Sequence, residues 1–198
     1  MRTWRKYDTF AITIKSQLQM KKVFFLFYLL TASLFAVAQS ETLEVYILDA
    51  SGTPTNVRNA PKGKVVDQVP VEGEWVFYVG NPRNGWWKIV DDAYYDSNPD
   101  NADEDGNWPH KKLQGSQTGY WVHYSCIGFG LVGSSEEHKL RAAPGNNSKV
   151  VYTTHSTEEY FHPLAIKGTW VKVVSANGKH TGWITRDMIC SNPLTTCP

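Results

Sequence analysis

Long apolar runs are nearly absent from this 198-residue chain. The one exception, VFFLFYLLTASLFAVA from Val23 to Ala38, holds sixteen uncharged residues, short of the roughly 20 that a spanning helix needs. Helical periodicity is also missing: outside that run no window repeats its apolar residues on one helical face, which argues against an α-helical fold. Histidine pairs at metal-ligand spacing are lacking among His110, His123, His138, His155, His162 and His180. A basic excess is lacking too. Past Ala38, 14 Lys and Arg face 18 Asp and Glu, a net charge of −4 with neutral His, and this is no nucleic-acid footprint.

What is present begins with an export signal. Met20-Lys21-Lys22 precedes the apolar run and the small-residue pattern Ala36-Val37-Ala38 closes it, the layout of a secretory signal peptide. An N-terminal membrane anchor is the alternative, disfavoured by the short run and the cleavage-site residues. The polar stretch Met1 to Gln19 is out of place before a signal peptide, so Met20 is the better start. No cysteine follows Ala38 directly, which gives no support for a lipid anchor. The mature chain is expected to begin at Gln39, with 160 residues exported to the periplasm or the medium. Cys126, Cys190 and Cys197 then lie where disulfides persist. Their odd number leaves at least one unpaired or paired outside the chain.

The exported region repeats itself. Arg58, Ala60 and Pro61 match Arg141, Ala143 and Pro144, and Lys64-Val65-Val66 matches Lys149-Val150-Val151. Gly85-Trp86-Trp87-Lys88-Ile89-Val90 matches Thr169-Trp170-Val171-Lys172-Val173-Val174. Gly119-Tyr120-Trp121-Val122 and Ile127 match Thr181-Gly182-Trp183-Ile184 and Ile189. In the first copy the spacing predicts strands over 64–69, 74–80, 86–90 and 120–123, with turns at 80–85 and, in the second copy, at Asn177-Gly178. Short strands of this kind can bury a core in about 60 residues by curling into a small barrel.

The motif order, Leu-Arg-x-x-Pro in the second copy, Lys-Val-Val, Gly-Trp-x-Lys-Val-like blocks and a final Gly-Trp-Val/Ile-like block, resembles bacterial SH3-type (SH3b) domains in two tandem copies. The resemblance implies an all-β chain of two small SH3-like β-barrels, residues 39–133 and 134–198 behind a 1–38 leader. It also implies extracytoplasmic binding, often of cell-wall peptidoglycan. Asn84-Gly85-Trp86-Trp87-Lys88 is similar to the Asp-Gly-Trp-Trp-Lys stretch of eukaryotic SH3 domains. The Pro and Tyr their proline-binding groove needs fall here on His123 and Cys126, and on Thr185 and Met188, so polyproline binding is not expected.

Strand alternation puts Trp87 and Ile89, and Val171 and Val173, on a core face. Trp86, Lys88, Trp170 and Lys172 then share the outer face. Two partly exposed tryptophans in one repeated slot are candidate ligand contacts, suited to stacking on a peptide or sugar; the alternative is that they cap the barrel ends.

The copies differ in one hairpin. Trp86 and Trp121 are 35 residues apart where Trp170 and Trp183 are 13 apart, so the first copy carries about 22 extra residues within 91–117. That segment holds seven acids against two lysines. Asn101-x-Asp103-x-Asp105-Gly106 matches the first half of a calcium loop, but position twelve is Lys112 where a bidentate Glu is required, which favours a solvated acidic loop. Tyr94, Tyr95 and Trp108 argue that the insertion folds, and we expect it to lie over its own barrel next to Trp86 as part of the ligand site.

No catalytic constellation is expected. Two barrels leave no chain for a peptidase domain, and Cys126 occupies the packing slot that Met188 fills in the second copy. Cys190 and Cys197 are the expected disulfide, pinning the tail; Cys126 bonded to either one is the alternative. The functional expectation is therefore a secreted binding module for peptidoglycan peptide or glycan that needs no cofactor. The alternative is a periplasmic protein-interaction or inhibitor module acting through the acidic insertion.

Overall fold

The computed structural model of the chain describes residues 41–133, 137–156, 158–191 and 197; the expected signal peptide and the expected mature start lie outside them. The chain divides after Gln39, and Ser40–Pro198 forms one compact unit. It is all-β. The strands are β1 (Thr42–Ile47), β2 (Thr55–Arg58), β3 (Val65–Val69), β4 (Trp75–Arg83), β5 (Trp86–Ile89), β6 (Ala93–Asp96), β7 (His110–Lys112), β8 (Tyr120–His123), β9 (Ile127–Gly128), β10 (Gly130–Leu131), β11 (His138–Arg141), β12 (Val150–Thr154), β13 (Phe161–Lys167), β14 (Trp170–Ser175), β15 (Thr181–Thr185) and β16 (Ile189–Cys190). Three single 3-10 turns, at Pro99–Asn101, Tyr124–Cys126 and Arg186–Met188, are the helical segments among the described residues.

The repeat is a repeat of topology. The first half runs β3-β2-β8-β5-β4-β1-β9 and the second β12-β11-β15-β14-β13, so each block of sequence similarity maps onto the same strand in the same order. Arg58 pairs with Trp121 and Arg141 with Trp183. A register shift falls just before each arginine. Both guanidinium groups then close the following loop: Arg58 Nη1 donates to the Gly63 carbonyl at 2.7 Å and Arg141 Nη1 to the Ser148 carbonyl at 2.8 Å. Arg-x-Ala-Pro is thus an architectural motif, a side chain tethering the backbone of its own turn.

No closed barrel is recorded among the described residues. The described pairings leave each sheet open, with β3 and β12 as edges. The strand that would start each barrel was not legible from the repeat, because β1 is six residues long and its counterpart β10 only two. Their roles correspond nonetheless. β1 pairs with β4 and β9, while β10 pairs with β16 and the adjacent Phe129 bridges to Phe161 at the start of β13. Leu48 N–H to Cys126 O in one half is matched by Val132 N–H to Met188 O in the other.

The halves share one core. Val45, Phe77, Val79, Trp87 and Ile89 belong to the same buried cluster as Leu140, Phe161, Val171, Val173 and Ile184. Trp87 and Val171 occupy the same slot, and both are fully buried. The larger Trp87 crosses the junction, its indole Nε1–H donating to the Pro163 carbonyl at 3.0 Å. Burying an indole while satisfying its single donor combines a large apolar gain with no orphaned polar group. His162 adds a second polar link across the junction, Nδ1 to the Ile127 carbonyl at 2.8 Å.

The β4–β5 connection is tighter than the expected 80–85 turn. Arg83 pairs with Trp86, so Asn84 (φ 50°) and Gly85 (φ 83°) alone make a two-residue hairpin in the left-handed region. A side chain at Gly85 would also meet His123 and Tyr124 at 3.1–3.2 Å.

Candidate functional site

The expected outer slot exists, but its first member is covered. Trp86 is only 9 % exposed. The Arg58 guanidinium lies 5.7 Å from its ring centroid and His123 packs edge-on at 5.0 Å. Arg83 covers Trp121 in the same way at 5.6 Å. This corrects the expectation that Trp86 is partly exposed: a cation from the next strand but one lies over each ring, a favourable use of the aromatic quadrupole. In the second half Thr185 stands at the position of His123 and is too small to cover Trp170, which stays half-buried. Lys88 and Lys172 are half-buried on the expected face, Lys88 lying over Gly119.

Beside Trp86 the structure assembles a group that the sequence did not announce. His123 packs on Tyr124 at 4.6 Å, and Tyr124 meets His162 of the second half edge-on at 6.2 Å. His123 Nδ1 lies 2.8 Å from Ser125 Oγ. Burial, and then the proximity of His162, holds His123 below its ordinary pKa. No local signal joins residues 39 positions apart; only the shared core brings them together. Cys126 lies in the same turn, half-buried against the core like Met188. Burial, then the Asp49 charge, pushes its thiol up to about 11, so at neutral pH it is a thiol and a poor nucleophile.

The insertion grows from the opposite end of the hairpin. β6 pairs with β4 at Trp75 and Val76, whereas Trp86 faces Arg83 eight residues further on, roughly 26 Å of strand at about 3.3 Å per residue. The expectation that the insertion lies next to Trp86 is therefore wrong, because β6 simply continues the β5 edge of β4 past its other end. Tyr94 turns inward, edge-on to Trp75 at 5.1 Å and against Phe77 at 5.9 Å. Lys111 of β7 sits 3.9 Å over the Trp75 ring. The return segment is held by Tyr120, whose hydroxyl bonds to Leu113 O at 3.0 Å; Gly182 stands at this position in the second half.

On the solvent side the insertion completes an aromatic stack. Tyr95 is 4 % exposed at its centre. Trp108 lies on it at 5.6 Å and 12°, Tyr78 of β4 at 5.9 Å and 29°, and His110 at 5.4 Å. Trp108 and Tyr78 keep 40 % and 39 % of their surfaces exposed. The Tyr95 hydroxyl donates to Glu44 of β1, whose other oxygen accepts Ser191 Oγ at 2.9 Å. Of the residues expected at the ligand site, Tyr95 and Trp108 thus meet here and Tyr94 supports them from the core; Trp86 and Lys88, and Trp170 and Lys172, are elsewhere. Tyr78 was missed because it belongs to a repeated strand, where the half-repeat places His162.

The calcium-like segment is folded on itself. Asp103 accepts the backbone N–H groups of Asp105 and Asn107 at 3.0 and 2.7 Å, an Asx-type turn that uses its carboxylate. Asn101 donates to Asp96 at 2.7 Å. No group of three or more His, Cys, Asp or Glu suited to a metal occurs among the described residues. Cys190 and Cys197 form a disulfide, Cys126 is free, and Cys197 O accepts Gly133 N–H at 2.9 Å, which ties the chain terminus to the connection between the halves. No helix among the described residues is long and apolar enough to cross a membrane.

No family model and no curated protein matches the chain. Among solved structures it is similar to NlpC1 from Trichomonas vaginalis, at 7 % sequence identity and a TM-score of 0.27, over 78 % of this chain and 47 % of that one. The chain therefore spans about half the length of that protein. A likeness at this level carries no argument about activity, and the all-β architecture rests on the strand pairings themselves.

Proposed function

We propose that the exported part of this chain is a non-catalytic binding module, two SH3-type repeats fused through one core, that recognises cell-wall peptidoglycan. The observation that carries this is the stack on the insertion. Two large aromatic rings stay about 40 % in water although a buried ring, a carboxylate and the paired strands β4, β6 and β7 hold them in place. Rigid aromatic surface of this kind costs stability and is the usual material of binding hot spots. The weak nucleophilicity of Cys126 supports the non-catalytic part of the reading. Recovery of the purified 39–198 protein on insoluble peptidoglycan, compared with insoluble cellulose, tests it: selective recovery is expected, and equal recovery from both contradicts it.

One observation favours a second reading. Asp100, Asp103, Glu104 and Asp105 all lie exposed at the tip of the insertion, a dense negative surface that suits a basic protein partner. Asp100→Asn, Glu104→Gln and Asp105→Asn together leave the Asp103 turn intact. Loss of a captured periplasmic partner with peptidoglycan recovery unchanged would favour this alternative.

A further inference from the structure

We infer that the Tyr78–Tyr95–Trp108 stack is a site for a neutral pyranose ring of a glycan strand, and that the chain carries one such site. This rests on the peptidoglycan reading and narrows it to the sugar component of the polymer.

The geometry sets the ligand class. Trp108 is nearly parallel to Tyr95 at 12°, so one indole face is taken by Tyr95 while 40 % of the residue remains in water. A flat apolar platform with a polar rim matches the face of axial C–H bonds that a pyranose presents, with ring hydroxyls directed outward to acceptors. Acceptors are at hand and they are carboxylates. Glu44 stands opposite Tyr78 in the β1–β4 ladder and Asp91 is exposed just past β5; burial, then the charge of Glu44, raises the pKa of the Tyr78 hydroxyl. Sugar hydroxyls can donate to such groups, whereas the carboxylates of a stem peptide are repelled by them.

The stack is also held before any ligand arrives. Tyr95 sits in the β6 ladder opposite Val76 and His110. Its hydroxyl bonds to Glu44, which in turn accepts Ser191 next to the Cys190–Cys197 disulfide. Three separate parts of the chain thus fix the central ring, and little ordering remains for a ligand to impose.

The second half cannot reproduce the site. His162 takes the position of Tyr78 and bonds to Ile127 O at the junction, and the hairpin after β14 has no insertion. Trp86 and Trp121 are covered by Arg58 and Arg83. Trp170 has no ring partner among the described residues. One ligand per chain follows.

The test is a fluorescence and calorimetric titration of the 39–198 protein with a soluble N-acetylglucosamine oligomer and, separately, with an acidic stem peptide. The oligomer is expected to saturate at one per chain. Trp108→Ala and Tyr78→Ala should each weaken it by roughly tenfold or more, and Trp170→Ala should leave it within about twofold. If Trp108→Ala does not fold, Trp108→Phe, which keeps a ring, should bind more tightly than Tyr78→Ala. Oligomer affinity unchanged in both Trp108→Ala and Tyr78→Ala, or saturation by the stem peptide alone, overturns the glycan site while recovery on whole peptidoglycan still supports the binding module. Failure of that recovery overturns the module itself.

Discussion

Replacing Trp87 by Phe probes whether the halves behave as one unit. The substitution removes the 3.0 Å bond from the indole to the Pro163 carbonyl. Leaving a buried acceptor short of a partner costs about 1–3 kcal/mol. Trp87 is also fully buried, so the smaller ring leaves a gap that adds about 1 kcal/mol. A total of about 2–4 kcal/mol corresponds, at about 2–4 °C per kcal/mol for a domain of this size, to a melting temperature lower by roughly 10 °C. Differential scanning calorimetry together with near-UV circular dichroism reads it. Because Phe129, Phe161 and Trp87 lie in one cluster, the variant is expected to unfold in a single transition that shifts as a whole. Two separated transitions, only one of them shifted, or a loss below about 0.5 kcal/mol, would refute the shared core.

Three further outcomes follow from the same geometry. Cys190→Ser with Cys197→Ser opens a loop of sequence separation 7 and should cost roughly 2.5 kcal/mol by the chain-entropy estimate; a thermal midpoint that does not move contradicts it. Burial and Glu44 raise the Tyr95 hydroxyl above its ordinary 10.0. The unfolded chain then releases that proton first, so the stabilisation is present below pH 10 and is lost as pH rises beyond it. Urea midpoints from about pH 9 to 11 should fall less steeply in Tyr95→Phe, with Cys126, Tyr46, Tyr78, Tyr94 and Tyr152, likewise raised, giving the residual slope; equal slopes refute the assignment. Cys126, raised from 9.0 to about 11, should alkylate at pH 8 about a hundredfold more slowly than free cysteine, and a rate within about threefold of the free thiol would show that it is not held as described.

The repeat carried most of the fold. Arg58 and Arg141, Lys-Val-Val and the Trp blocks marked matching strands because each half reuses the same local solution: a tethered turn, a bulge and a strand buried on one face. β1 escaped notice since its counterpart β10 is too short to leave a sequence echo. The alternation that placed Trp87, Ile89, Val171 and Val173 in the core held, being a property of the strand alone. Exposure on the other face was not legible, because it depends on which cations and rings other strands of the sheet contribute. Arg58 and His123 bury Trp86, and nothing in its own segment says so. The insertion's aromatics were legible as a folded element. Their position was not, since sequence order alone does not tell at which end of a hairpin an extension leaves the sheet. Tyr78 could have been found only by pairing β4 with β6, a register that the insertion itself creates.

The most direct test compares Trp108→Ala with Trp86→Ala for retention on insoluble peptidoglycan, each normalised to wild type and to its own folded fraction. Trp108 is exposed on the stack and Trp86 is covered by Arg58 and His123. Trp108→Ala is expected to lose most of its retention while folded Trp86→Ala keeps it. The reverse order would contradict it.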